Sequence, residues 1–351
     1  FFKQKTAYEI LTCDWSSDVC SSDLSMKLAD IARLAGVSRT TASYVLNGQA
    51  RARRISEATV ERVMTVARDH DYRIDAQAAA LRGGDSRTLG LIVPDLENGS
   101  YARLAKRLEH GARSQGYQLL IVGSDDDPER ERTLARSLRA QRCDALIVAS
   151  SLAPDDDFYA ELLTKGLPVI AVDRPLDPQH FISIVTNGRS AGESLTRSVL
   201  DPDVNEIVWF DAVPQLSISS ERRQGFLAAC RSFVGEYRCI SAARYDRASG
   251  AAAMRQLLRE SRLPDAIVTA SYTLLDGLLD ALLERGALPT GLRLATFGDD
   301  RLLDFLPCRV NSLPQDHDRV AAQALARALQ AVRGDYRPGL DVIERTLKRR
   351  R

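Results

Sequence analysis

Between residues 28 and 48 the chain reads LADIARLAGVSRTTASYVLNG, and its apolar positions recur at helical spacing. Leu28, Ile31, Ala32 and Ala35 give a first helix one narrow apolar face, and Gly36 stands where such a helix ends in a left-handed residue. Ser38 suits the N-cap of a second helix that runs to about Leu46, with Ala42, Val45 and Leu46 turned towards the first. Asn47-Gly48 signals a turn. A third helix is expected after Ile55, capped by Ser56, with Val60, Val63, Met64 and Ala67 covering the pair. Two short helices about a turn of three or four residues make a helix-turn-helix pattern. From residue 88 the pattern changes to short apolar runs: LGLIV (89–93), YQLLIV (117–122), DALIVAS (144–150), PVIAVD (168–173), EIVWF (206–210), DAIVTA (265–270) and LRLATFG (292–298). Each run is followed by helical patterning, and such alternation predicts parallel sheets covered by helices.

The second helix begins at Ser38 and leaves Arg39, Thr40, Ser43 and Tyr44 outward. A helix fits the major groove of DNA, and side chains near its N-terminus reach base edges. The alternative is a structural hairpin with a solvated polar face. Arg51, Arg53 and Arg54, in the loop before the third helix, suit phosphate contacts or form a solvated charge run. Residues 75–84 read DAQAAALRGG: Asp75 can cap, the alanines favour helix, and Gly83-Gly84 ends it. A helix this short is unstable alone in water. Residues 75–87 therefore read as a hinge that folds when a partner supplies contacts. Leu81 serves either as a minor-groove wedge or as packing against the adjacent domain.

Charge changes the picture only when it is divided. The whole chain of 351 residues carries +1, yet residues 26–87 carry +4, with eleven Lys/Arg against seven Asp/Glu. A basic module on a near-neutral body is the expected footprint of nucleic-acid binding. The six cysteines form no C-x-x-C pair and no zinc pattern, so free thiols in a reducing cytoplasm are expected. No apolar run approaches the ~18 residues of a membrane-spanning helix. Residues 1–25 show no periodicity and no signal-peptide pattern; they resemble translated sequencing-adapter DNA. The expectation is that the natural protein starts at Met26, the alternative being a disordered native extension.

Ligands of parallel sheets bind beyond the carboxyl ends of strands. The polar residues there are Asp95, Asn98, Ser100 and Tyr101 after the first run, Asp173 and Arg174 after PVIAV, Ser271 after AIVTA and Asp299 after LATFG; Arg222 opens a helix in SSERRQGF. Singly each also reads as a cap or turn residue. Together they suit a polar ligand, with Asp accepting from hydroxyls and Arg pairing with a phosphate. No Walker, nucleophile-elbow, zincin or dinucleotide motif is present, and the four histidines are scattered, so no enzyme, metal or cofactor is expected.

From Met26 onward the chain resembles the lactose-repressor family, most specifically in LADIARLAGVSRTTASYVLNG, the third helix and the AAALR hinge. PDLENGSY, AVDRPLD and TFGDDRLLDFL resemble its fructose-repressor branch. The resemblance implies an all-α helix-turn-helix domain (26–74), a hinge (75–87) and a periplasmic-binding-protein-like core (88–351) of two parallel-sheet subdomains. The first subdomain would take about 88–186 and 317–340, the second about 187–316 and 341–351, with crossings near 186–189, 314–317 and 340–343. It implies base contacts by Arg39, Thr40 and Tyr44, hinge contacts by Ala78 and Leu81, and effector contacts by Asp173, Arg174, Arg222, Asp299 and Gln315. It also implies Ser271 where other members place Asn or Asp. Gly99 stands where a threonine is usual. The partners implied are a double-stranded DNA operator, a fructose phosphate, most specifically fructose 1-phosphate, and a second copy of the chain in a homodimer, with a homotetramer open. Competing classes are a periplasmic sugar-binding protein, which lacks a basic helical module, and an enzyme acting on sugar phosphates, for which no residue pair makes a case.

Overall fold

The computed structural model describes residues 26–72, 86–153, 156–286 and 288–350. The leader (1–25) and the hinge residues Ala78 and Leu81 lie outside the described residues. The chain divides into two compact units, Phe1–Gly84 and Asp85–Arg351.

The first unit holds α1 (Leu28–Leu34), α2 (Arg39–Leu46) and α3 (Glu57–Asp69). Gly36 follows α1 at φ +64°, a conformation that glycine adopts without a Cβ penalty. The Ser38 hydroxyl accepts from the Thr41 amide at 3.0 Å, and the Ser56 hydroxyl accepts from Thr59, so both hydroxyls cap their helices. Ile31, Ala32, Ala35, Ala42, Val45 and Val63 form the core. Met64 does not join it: it is 40% exposed, because the buried stripe of α3 runs through Val63 and Ala67.

In chain order the second unit begins β1 (Thr88–Val93), α4 (Gly99–Ser114), β2 (Gln118–Gly123), α5 (Pro128–Ala140), β3 (Ala145–Val148), α6 (Phe158–Thr164), β4 (Val169–Val172) and β5 (Ile182–Thr186). It continues α7 (Gly188–Arg197), β6 (Glu206–Ala212), α8 (Ser217–Cys230), β7 (Glu236–Ala242), α9 (Arg247–Glu260), β8 (Ala266–Thr269), α10 (Tyr272–Leu283), β9 (Arg293–Phe297) and β10 (Arg309–Leu313). It ends with α11 (His317–Val332) and β11 (Gly339–Ile343). All pairings between named strands are parallel, in two sheets ordered β11-β5-β4-β3-β1-β2 and β10-β9-β8-β6-β7. The central strands of each sheet are buried on both faces. α4 and α11 cover one side of the first sheet and α5 and α6 the other; α7 and α8 flank the second sheet opposite α9 and α10. Central strands such as VIAV and AIVT are therefore wholly apolar and buried.

The chain crosses between the two lobes after Thr186 and after Leu313. The third crossing lies at the end of the expected stretch, and only the boundary set at about 340 shifts. β11 pairs with β5 through Ile343, so the chain leaves the first lobe only there, and Lys348 then bridges Ser312 in the second. Residues 341–343 thus belong to the first lobe.

Candidate functional site

In the first unit Ser38, Arg39 and Thr40 are exposed at the start of α2, and Ser43 and Tyr44 are half-buried along it. The Ser38 hydroxyl is taken by its cap and by Thr41 Oγ1 at 2.8 Å, and Ser43 receives the Asn47 amide, which leaves Arg39 and Thr40 the freest to meet a partner. Arg51, Arg53 and Arg54 are exposed, and the Arg53 guanidinium lies over the Tyr44 ring, 4.7 Å from its centre. That cation–π contact draws the basic loop onto the polar face of α2.

In the second unit a cleft of about 140 Å³ opens between the lobes at the carboxyl ends of both sheets. It brings together every strand-end residue named from the sequence, Asp95, Asn98, Ser100, Tyr101, Asp173, Arg174, Ser271 and Asp299, with Arg222 of the SSERRQGF helix and with Gln315, which the resemblance implied. The β–α connections place them. Asn98 caps α4 through the Ser100 amide at 3.0 Å, and Ser271 caps α10 through Leu274 at 3.2 Å, so these two side chains shape the rim as well as line it. Asp173 leaves β4 at φ +64°, which turns its carboxylate to accept from the Tyr101 hydroxyl at 2.8 Å. Burial, and after it the Asp173 charge, holds the Tyr101 phenol well above its ordinary pKa.

Two cations of the cleft, Arg174 and Arg222, are buried. Arg174 donates to Asp126 at 2.5 Å and to the Ser150 carbonyl at 3.4 Å. Burial works against its charge, but Tyr101, Asp126 and Asp173 more than offset this and raise its pKa. Arg222 donates to the Ala270 carbonyl at 2.7 Å, sits 4.5 Å over the Phe297 ring, and lies 3.8 Å from Asp173. The Nε atoms of Arg174 and Arg222 are buried with no partner among the described residues. A buried donor left unmatched costs about 1–3 kcal/mol, and the two arginines that carry these donors both line the cleft.

Sequence reasoning missed Asp126, Tyr245, Phe297, His317 and Arg345, which also line the cleft. Arg345 follows β11 and is fixed by the segments around it. It donates to Thr186 Oγ1 (3.1 Å), the Leu313 carbonyl (3.0 Å) and Gln315 Oε1 (3.0 Å), while its amide donates to Asn187 (2.9 Å). Burial, reinforced by the like charge of Arg222, pulls its pKa down to about 9. Burial and the charges of Arg345 and Arg103 likewise pull His317 down to about 4, so its ring is neutral at pH 7. The Asp299 carboxylate lines the cleft but is already engaged: it accepts from Ser312 at 2.7 Å and Lys348 at 3.2 Å, and pairs with Arg350. In this arrangement it clasps the C-terminal segment. Across the mouth, Arg103 of α4 reaches the Asp299 carbonyl (3.0 Å) and the Asp300 carboxylate (2.5 Å), and Arg244 reaches the Asp125 carbonyl (2.8 Å), so both lobes are tied at the rim. Among the described residues no His/Cys/Asp/Glu cluster has metal-binding geometry, and no helix is long and apolar enough to cross a membrane.

Known proteins share both units. The family model for bacterial regulatory proteins of the lacI family matches residues 27–75, and that for periplasmic binding proteins and the sugar binding domain of the LacI family matches residues 86–297. The chain is 49% identical to the fructose operon regulatory protein of Vibrio cholerae serotype O1 over 92% of this chain and 99% of that one. It is 43% identical to the catabolite repressor/activator of Escherichia coli K12 over 93% and 98%. The Cra transcriptional dual regulator from Pseudomonas putida, solved in complex with fructose 1-phosphate, is 49% identical, with TM-score 0.73 over 76% of this chain and 99% of that one. The lac repressor dimer bound to operator and the anti-inducer ONPF matches with TM-score 0.77 over 92% and 98%; its 21% identity speaks for the fold alone. With two family models in register on its two units and relatives near half identity along nearly their whole length, this chain belongs to the lacI family of bacterial regulatory proteins.

Proposed function

We propose that this chain is a cytoplasmic, sequence-specific DNA-binding regulator of sugar metabolism that binds a pseudo-palindromic operator as a dimer and is released by a sugar phosphate, fructose 1-phosphate foremost. The observation that carries the effector half is the pair of buried, unmatched Arg Nε donors at Arg174 and Arg222 beside Asp173 in a cleft held by both lobes. Guanidinium groups suit phosphate oxygens, and carboxylates suit sugar hydroxyls. Asn98, Tyr101, Ser271 and Gln315 complete this proposed effector set, with Ser100 serving it through Gln315 and Asp299 in reserve behind its ion pairs. The DNA half rests on α2, where Arg39 and Thr40 are exposed beside the basic loop of Arg51, Arg53 and Arg54. The relatives support both halves: one is a fructose operon regulatory protein and one a catabolite repressor/activator by name, and a third was solved with fructose 1-phosphate.

The test is thermal shift against a panel of sugar phosphates and their unphosphorylated sugars. A ligand present at ~100 times its dissociation constant adds ~2.7 kcal/mol to stability. Fructose 1-phosphate should raise the melting temperature and fructose should not. A panel without any response would remove the effector assignment and leave the DNA-reading one to stand on α2.

A further inference from the structure

Gln315 is the meeting point of a hydrogen-bond chain whose polarity can be worked out from its ends. Arginine has donors and no acceptor, so the Gln315 amide atom 3.0 Å from Arg345 Nη2 must be the oxygen. Ser100 Oγ lies 3.1 Å from that same oxygen, and its one proton belongs there, because two bare oxygens at this distance repel. With its proton committed, Ser100 Oγ meets His317 Nε2, at 3.0 Å, as an acceptor. His317 Nε2 therefore carries the hydrogen, and because the ring is neutral its Nδ1 is an open acceptor. The Gln315 side-chain nitrogen has no protein hydrogen bond among the described residues, and Gln315 lines the cleft.

We propose that Ser100 and Arg345 are positioning residues that lock the Gln315 amide oxygen, so that Gln315 meets the bound effector with N–H donors only. This rests on the sugar-phosphate reading above and adds to it the polarity of one wall of the site. Three elements far apart in the chain are required: the start of α4 supplies Ser100, the second crossing supplies Gln315 and His317, and the third supplies Arg345. The ligand atom opposite Gln315 must then be an acceptor, such as a phosphate, ring or hydroxyl oxygen.

Two measurements test it. In effector-free protein, long-range nitrogen–proton NMR of the imidazoles, with His317→Gln to assign the signal, should show His317 neutral and protonated on Nε2 from pH 8 to pH 5. A proton on Nδ1, or titration near pH 6.5, overturns the network whatever the effector is. Calorimetry with fructose 1-phosphate then reads the consequence. Gln315→Glu, which replaces the two donors by acceptors, should bind at least tenfold more weakly than wild type. Ser100→Ala should weaken binding about fivefold when Gln315 is present and leave it unchanged in the Gln315→Ala background. Equal loss in both backgrounds, or wild-type affinity in Gln315→Glu, overturns the positioning role. Wild type that ignores fructose 1-phosphate while His317 shows the expected tautomer overturns the choice of effector and not the network.

Discussion

Arg222 donates one guanidinium nitrogen to the Ala270 carbonyl, rests on the Phe297 ring and keeps its Nε buried without a partner among the described residues. A charged hydrogen bond to a ligand contributes about 1.5–3 kcal/mol, so Arg222→Ala should weaken fructose 1-phosphate binding by roughly 10- to 100-fold. Operator affinity without effector should barely change, because Arg222 lies in the second unit while the base readers proposed here lie in the first; gel-shift and calorimetry on the same preparation separate the two. His317 makes a pH prediction with a definite sign. Its folded pKa is lowered to about 4, below the ordinary value near 6.5, so between those values the unfolded chain binds more protons than the folded one. Its contribution to stability is complete above pH 6.5 and is lost as pH falls towards 4. Melting temperatures from pH 7 to pH 4.5 should fall less steeply in His317→Gln than in wild type; parallel curves would mean that His317 is accessible and titrates normally. This residue was present in the sequence as one of four scattered histidines, and only the second crossing sets it against Ser100.

Glycine lets two pairs of helices approach backbone to backbone. A Cβ on Gly192 of α7 would sit 2.7 Å from the Arg222 carbonyl oxygen of α8, and one on Gly277 of α10 would sit 2.0 Å from the Arg247 carbonyl oxygen of α9. Overpacking of this kind costs about 1–3 kcal/mol, so both Gly192→Ala and Gly277→Ala should lower the melting temperature. Only Gly192→Ala pushes directly on the helix turn that carries Arg222, so it alone should also weaken effector binding; equal effector affinity in the two variants would show that α8 does not set the position of Arg222. On α2 the expected outcome divides between two arginines. Arg39→Ala should cost ~1–3 kcal/mol of discrimination at one base per half-site, whereas Arg53→Ala should weaken all sequences alike and reduce the salt slope by about one. Competition assays against random DNA at several salt concentrations check both, and equal losses on specific and random DNA for Arg39→Ala would displace α2 as the reading helix. Elements with one environment along their length were legible in the sequence, such as the capped α2 and the fully buried VIAV and AIVT. Four strands were not. β7 and β11 are sheet edges, where half-buried positions alternate with exposed ones and EYRCISA and GLDVI carry charge. β5 buries Ser183, whose hydroxyl meets the Leu176 backbone, and β10 buries Asn311 and Ser312, which meet Ser198 and Arg350. Polar groups satisfied by distant segments break the apolar run that marks a strand.

At the scale of the molecule, the strand-end rule led to the residues that line the cleft, because parallel sheets gather their β–α loops at one edge. It could not find Arg345, whose four bonds reach residues 186, 187, 313 and 315. Nor could it foresee that Asp299 is spent on the C-terminal segment, since Ser312, Lys348 and Arg350 arrive only when the third crossing returns to the second lobe. A ligand held by Asp173 and Arg174 from one lobe and Arg222 from the other stabilises the arrangement in which the rim contacts of Arg103 and Arg244 are made. It shifts DNA binding only by its differential affinity for the two states of the core. The proposed union of a DNA reader and a sugar-phosphate sensor in one chain is tested most directly by fluorescence anisotropy. A pseudo-palindromic duplex selected by the protein from a random pool is bound to saturation, and fructose 1-phosphate is titrated in. Wild type should release the duplex over a saturable range of effector while Arg222→Ala holds it throughout; a duplex that stays bound to wild type at every concentration, or that leaves both proteins at the same one, would contradict the account.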